Sequence, residues 1–356
     1  MASMKSLAKK FLHSPAVAET VVKLNRVVVA GYEGDIFRRF ETSRLFEGAA
    51  RVSRERFAGL TPYVLTDQPV SDAVRKDLGP VISSLDGLTD DQIAGSIFYI
   101  YFLCDSDALP ALRRITAAGG KYVPHLSFEK TEYRFTERLV HNAMSRTWAK
   151  RDRVSHLTPV VHENICEALS ITRRIEGDYV EIGVFRGGSA LTAINYIDEV
   201  RKADPSLPPR KAWLLDTFDG FNYDEAFDSP DVIWAGTHAL DGVTRTMDYI
   251  RETLSGTPVP FELIASNICA DPLPSGVSRI AVANVDVDMF EPTLDALNKV
   301  SPLVAPGGII ICEDAAATPG LYGALQAMED FLAGDAGKDY VKIFKRGQVF
   351  LLKMKG

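Results

Sequence analysis

The sequence predicts an α/β fold over residues 151–356, a parallel sheet with helices on both faces finished by an antiparallel hairpin, behind a mostly helical accessory region over 1–150. Three observations carry this. Short, nearly continuous apolar runs alternate with helix-compatible segments from about 155 onward, the texture of strands buried on both faces. The first of these runs breaks into a glycine turn ahead of a helix, in YVEIGVFRGGSA at 179–190. The last two runs, 340–344 and 349–354, flank Lys345-Arg346-Gly347-Gln348, which is hairpin chemistry.

Taken in order, an amphipathic helix is expected over 161–175, with Val161, Ile165, Leu169 and Thr172 on one face. Strands are expected at 179–183, 212–216 (AWLLD), 261–265 (FELIA), 280–286 (IAVANVD) and 308–313 (GIIICE). Helices separate them near 188–200, 242–254, 291–300 and 321–333. A parallel sheet ending in a hairpin is the order of Rossmann-like class I methyltransferases, whereas a plain dinucleotide-binding domain does not require it. The first 150 residues carry helical periodicities and a capping-box pattern, Thr89-Asp90-Asp91-Gln92, ahead of the apolar core segment IFYIYFLC. Lys150-Arg151-Asp152-Arg153 marks the approximate boundary.

Composition narrows the class. With 46% hydrophobic and 24% charged residues, 356 residues can bury a full core. A net charge of −7 argues against a nucleic-acid platform. The four cysteines show no metal-type spacing and read as reduced thiols, which points to the cytoplasm. The basic, amphipathic start lacks the apolar core of a secretory signal, and no run is long enough to span a membrane.

The turn at 183–188 concentrates the chemistry. Glycine lets backbone N–H groups and a helix N-terminus approach a ligand closely, and Gly183, Gly187, Gly188 and Ser189 stand where such a ligand would lie. Glu181 precedes them, and Asp216 ends the next strand, where a carboxylate suits ribose hydroxyls. The spacing Gly183-x-x-x-Gly187-Gly188 is not the G-x-G-x-x-G that accommodates a pyrophosphate. S-Adenosylmethionine carries a sulfonium and an ammonium instead of phosphates, so an acidic turn favours it over NAD. Ser266-Asn267, after the third strand, can hydrogen-bond an adenine edge. The bland alternative is a glycine turn that only closes a βα unit.

The next strand ends are acid-rich: Asp286-Val287-Asp288 on the fourth, Glu313-Asp314 on the fifth. Carboxylates packed together repel unless a cation or protons neutralise them. Asp286, Glu313 and Asp314 are therefore the expected ligands of Mg²⁺, with Mn²⁺ or Ca²⁺ as alternatives. Asp288 and Glu291 are as readily helix caps, and Asp288 suits a supporting role. A general base is sought in His238, within the loop IWAGTHALDG; His156 and His162 are weaker candidates. The acidic, aromatic stretch at 219–231 either lines a substrate entrance or is a solvated loop.

YVEIGVFRGGSA, AWLLDTFDGF, DPLP at 271–274, VDVDMFEPTLDAL at 285–297 and APGGIIICED at 305–314 together resemble the macrocin O-methyltransferase family over about 155–356. The resemblance implies a Mg²⁺-dependent enzyme that uses S-adenosylmethionine to methylate sugar hydroxyls on antibiotics. It places the family's acidic glycine turn on Glu181, Gly183, Gly187 and Gly188, and its ribose-binding acid on Asp216. The first acid of its Asp-Gly-Asp-Leu-Tyr signature falls on Asp286, as metal ligand and base, and its Asp-Asp pair on Glu313-Asp314. Glu313, Val287 and Phe290 stand where the family has Asp, Gly and Tyr.

The expected activity is thus methyl transfer to a hydroxylated small molecule, without nucleic-acid or membrane partners. A metal-independent transferase using a His base and a Rossmann-like oxidoreductase or binding module are the alternatives. The N-terminal region is open to several roles, a homo-oligomer interface among them.

Overall fold

The computed structural model describes residues 57–70, 75–76, 78–102, 104–124, 137–150, 158–317 and 321–355. The basic start, the turns at Gly31 and Gly34, and His156 lie outside them. The chain divides into two compact units, Met1–Arg138 and Leu139–Gly356, close to the change of texture at Lys150.

The described part of the first unit contains β1 (Thr61–Thr66), β2 (Val81–Ile82), α1 (Asp90–Ala94), β3 (Ser96–Tyr101), α2 (Asp105–Ala117) and β4 (Lys121–Pro124). The strands form a parallel sheet in the order β2-β1-β3-β4. This sheet is no part of the helical expectation for the region. The apolar run 97–102 lacks a period, so pattern alone cannot separate strand from buried helix. As the central strand it alternates between two cores: Ile97 and Tyr99 pack with Val64, Phe98 and Ile100 with Leu65 and Ile115. The capping box forms, with Gln92 N donating to Thr89 Oγ1 (3.3 Å) and Thr89 N to Gln92 Oε1 (2.8 Å).

From residue 139 the elements follow the predicted alternation. Helix α3 (Arg138–Trp148) and α4 (Pro159–Ile171) precede β5 (Asp178–Ile182), α5 (Gly188–Ala203), β6 (Ala212–Asp216) and the short α6 (Asp224–Asp228). Next come α7 (Val243–Leu254), β7 (Phe261–Ala265), β8 (Ile280–Val285), α8 (Phe290–Val300) and β9 (Val304–Cys312). The chain closes with α9 (Asp314–Ala317), α10 (Tyr322–Ala333), β10 (Tyr340–Lys345) and β11 (Gln348–Lys353). The seven strands run β10-β11-β9-β8-β5-β6-β7, parallel except for β11, which pairs antiparallel with both β10 and β9.

Strand β8 is buried at all six positions. It shares a core with Val180, Leu215, Leu297, Ile310 and Met328, contributed by neighbouring strands and by α8 and α10. The chain runs outward from β5 through β6 to β7, then returns to the other side of β5 with β8 and β9. The strand order reverses there, and a crevice opens beyond the carboxyl ends of β5 and β8. Gly183 makes the closeness possible. It has φ 91°, and a Cβ on it would lie 1.6 Å from the Asp286 carbonyl oxygen, so no other residue fits. No disulfide joins the four cysteines, and among the described residues no helix is long and apolar enough to cross a membrane.

Candidate active site

A cavity of about 330 Å³ occupies this crevice. The glycine turn and Asp216 form one side, the acidic ends of β8 and β9 another, and Phe218, Phe221, Tyr223 and His238 a third.

Asp216 organises the turn. Its Oδ2 accepts the backbone N–H groups of Val184 (2.7 Å) and Phe185 (2.8 Å), and its Oδ1 accepts that of Phe218 (2.7 Å). One carboxylate thus ties the loop after β5 to the loop after β6, and it also lines the cavity. Gly187, with φ 82°, is the N-cap of α5 and packs on Ile250. Gly188 and Ser189 reach the cavity; Gly187 and Glu181 lie behind it.

Glu181 is fully buried. It accepts the Ser189 hydroxyl (2.6 Å) and the Tyr179 hydroxyl, so its effect on a ligand passes through Ser189. Burial pushes its carboxyl up to about 7, against the pull of the Ser189 and Tyr179 hydrogen bonds and with Asp216 adding repulsion. The folded state therefore holds this proton more tightly than the unfolded chain. The group weakens folding as pH rises from about 4.5 to about 7, and fully above that. Glu181→Gln is expected to gain thermal stability relative to wild type between pH 5 and pH 8. Parallel melting curves at the two pH values would refute this.

Ser266 lies across the cavity. Its N–H donates to the Asp216 carbonyl (2.8 Å), while its buried hydroxyl has no partner, an unmet polar atom that a ligand would satisfy. Asn267 is already engaged, its Nδ2 donating to Glu225 Oε2 (2.9 Å) and its Oδ1 accepting from Cys269 N (3.0 Å).

At the acidic strand ends, carboxylate oxygens of Asp286, Asp288 and Asp314 converge within 4.8 Å of one another. The converging trio includes Asp288, assigned a supporting role from sequence, and Glu313 stands beside it. Glu313 still lines the cavity, but its carboxyl is nearly buried and pushed up to about 10 by that burial and by Asp314. Asp286 is held well above the usual carboxylate range by burial, then Glu313 and Asp314; Asp288 is raised to about 8 by burial and Asp314. Three converging hard oxygen donors are a donor set suited to a divalent cation. Glu291 sits in the first turn of α8, as its helix-terminal reading expects, while the N-cap is Met289, which contributes no side-chain cap.

His238 faces the cavity edge-on to Phe221 (5.1 Å) and Phe185 (6.1 Å), with Nδ1 2.8 Å from Thr237 Oγ1. Burial lowers its pKa below the ordinary value, Asp314 and Asp216 opposing, so the ring is neutral at pH 7. His162 is fully buried against Trp148 and Thr192, far down from its usual pKa to about 3, and is a packing group.

The sequence reading offered 219–231 as a substrate entrance, and Phe221 and Tyr223 from that stretch line the cavity; it missed Phe218 and the convergence of Asp288. A backbone signal marks both. Among the described residues the non-glycine positions with positive φ are Phe185, Phe218, His238 and Asp288, and all four line this cavity. Strained backbone of this kind clusters where the surroundings over-determine a functional geometry. No sequence pattern announces it in Phe or His.

The family model described as macrocin O-methyltransferase matches residues 132–337. The 8-demethyl-8-(2,3-dimethoxy-alpha-L-rhamnosyl)-tetracenomycin-C 4'-O-methyltransferase of Streptomyces olivaceus is 30% identical over 168 residues, 42% of this chain and 58% of that protein. The mycinamicin III 3''-O-methyltransferase of Micromonospora griseorubida is 26% identical over 167 residues, 42% of this chain and 59% of that one. The matches thus span under two thirds of these curated relatives. The solved structure of the O-methyltransferase NovP superimposes with a TM-score of 0.46 at 21% identity, over 56% of this chain and 82% of that one.

Proposed function

Since the chain belongs to the macrocin O-methyltransferase family, we propose that it transfers a methyl group from S-adenosylmethionine to a hydroxyl of a small molecule, a sugar hydroxyl on a secondary metabolite. The observation that carries this is one cavity joining the Asp216-braced glycine turn to the carboxylates of Asp286, Asp288 and Asp314. Gly183, Gly188, Ser189, Asp216 and the unpartnered Ser266 hydroxyl would hold the cofactor. Asp286, Asp288 and Asp314 would hold Mg²⁺, with Glu313 beside them.

When bound, S-adenosylmethionine supplies an electrophilic methyl group and the cation supplies charge that acidifies an acceptor hydroxyl. The chain's own part is positioning and proton transfer. The turn and Ser266 fix the donor side. The aromatic wall excludes water and gives the acceptor an apolar face. Asp286, or the neutral ring of His238, receives the hydroxyl proton.

The neutral His238 in the cavity also supports a second, metal-independent reading, and EDTA separates the two. In the metal-dependent reading EDTA abolishes activity, and His238→Ala lowers kcat by about tenfold to a hundredfold with cofactor affinity unchanged. Activity that survives EDTA and disappears in His238→Ala selects the second reading. Assays with the rhamnosyl-tetracenomycin and mycinamicin III acceptors named for the relatives test the substrate class. Failure of the protein to bind S-adenosylhomocysteine in calorimetry would overturn both readings.

A further inference from the structure

The connection from β6 to α7 is longer than a strand-to-helix turn needs, and it carries Phe221, Tyr223, His238 and Leu240 into the cavity wall. Its ends are closed by Phe221 N donating to Thr237 O (3.0 Å) and Gly236 N donating to Phe221 O (2.8 Å). Its middle is tied down at Asp231. That carboxylate accepts the backbone N–H of Phe290, at 3.1 Å to Oδ2 and 3.4 Å to Oδ1, and the Ser229 hydroxyl at 2.5 Å.

Phe290 is the first residue of α8, and it follows the acidic strand end by two residues. A helix leaves its first N–H groups unpaired and carries partial positive charge there, which an acidic side chain normally offsets from the N-cap. Here the N-cap, Met289, has nothing to offer, and a carboxylate 59 residues away takes the role. The start of α10 is shaped to admit it. A Cβ on Gly323 would lie 1.8 Å from Asp231 Oδ2 and 2.7 Å from Phe290 N.

We propose that Asp231 is a positioning residue, latching the loop that bears His238 and the aromatic wall to the N-terminus of α8, over the acidic strand ends. The latch stands on its own geometry; its consequence for catalysis rests on the methyl-transfer reading. Because the latch acts on the acidic side of the cavity, its loss should affect the acceptor and spare the cofactor.

Two variants break it from different elements: Asp231→Ala removes the carboxylate, and Gly323→Ala displaces it while leaving Asp231 in the chain. Trp234 in the loop reports the result by acrylamide quenching, since Trp148 and Trp213 are 9% and 5% exposed and shielded. Each variant is expected to raise the quenching constant about twofold. Each should also raise KM for the rhamnosyl-tetracenomycin acceptor about tenfold, with S-adenosylhomocysteine affinity changed less than about threefold. Asp231→Asn, which keeps an acceptor oxygen for Phe290 N, should restore most of the quenching protection. Unchanged quenching in both alanine variants, or cofactor affinity falling in step with quenching, overturns the proposal. Absence of cofactor binding by the wild type would instead overturn the methyl-transfer reading, with the quenching result still deciding the latch.

Discussion

Asp216→Ala is expected to weaken S-adenosylhomocysteine binding about a hundredfold, or about 2.7 kcal/mol, measured by titration calorimetry. Three backbone N–H groups, from Val184, Phe185 and Phe218, converge on this carboxylate. Hydrogen bonds to a charged acceptor contribute about 1.5–3 kcal/mol each, and water recovers part of that once the side chain is gone. What water cannot recover is the geometry. Phe185 and Phe218 sit at φ 48° and 55°, conformations that persist only while the surroundings enforce them. Asp216→Asn should be nearly as damaging, because its amide would set an N–H donor against one of these N–H groups. Wild-type affinity in the Asn variant would place the ligand away from this turn.

Asp286→Asn is expected to act in opposite directions on stability and activity. In metal-free protein, burial first and then Glu313 and Asp314 hold the Asp286 carboxyl well above the usual carboxylate range. The folded state therefore binds this proton more tightly than the unfolded chain and is weakened above that range. Asn removes the penalty and should raise Tm at pH 7 by about 2–4 °C. The stabilisation that Mg²⁺ confers on the wild type should disappear in the variant, and methyl transfer should fall at least about a hundredfold. Glu313→Gln is the contrasting case. Its carboxyl stands outside the converging trio and is held protonated by burial, so the response to Mg²⁺ should survive. An Asp286→Asn protein that still gains stability from Mg²⁺ would place the cation elsewhere.

The fold of the second unit was legible because its strands are short, mostly apolar runs that alternate with helix-compatible segments. The expected strands 212–216 and 261–265 coincide with β6 and β7. The predicted order of elements holds through to the hairpin. The N-terminal sheet was not legible, since IFYIYFLC has no period to separate a strand from a buried helix. In the site, the glycine turn, Asp216, Ser266 and the acidic strand ends were readable from chemistry and spacing, and the structure gathers them around one cavity. The choice among acids was not. Whether Asp288 or Glu313 completes the trio depends on the turn after β8, where Asp288 takes φ 58° and its N–H donates to Asp314 Oδ2 at 3.1 Å.

By itself the sequence determined the family, the α/β order and the chemical character of each strand end, because those are local properties of residue type and period. Only the tertiary structure decided which groups meet. Asp216 braces two loops, Glu181 works through Ser189 from beneath the turn, and Asp231 caps a helix 59 residues away. Such pairings depend on where the strand order reverses and on how closely Gly183 and Gly323 let chains approach. They are set by the packing of distant segments, which no local pattern encodes.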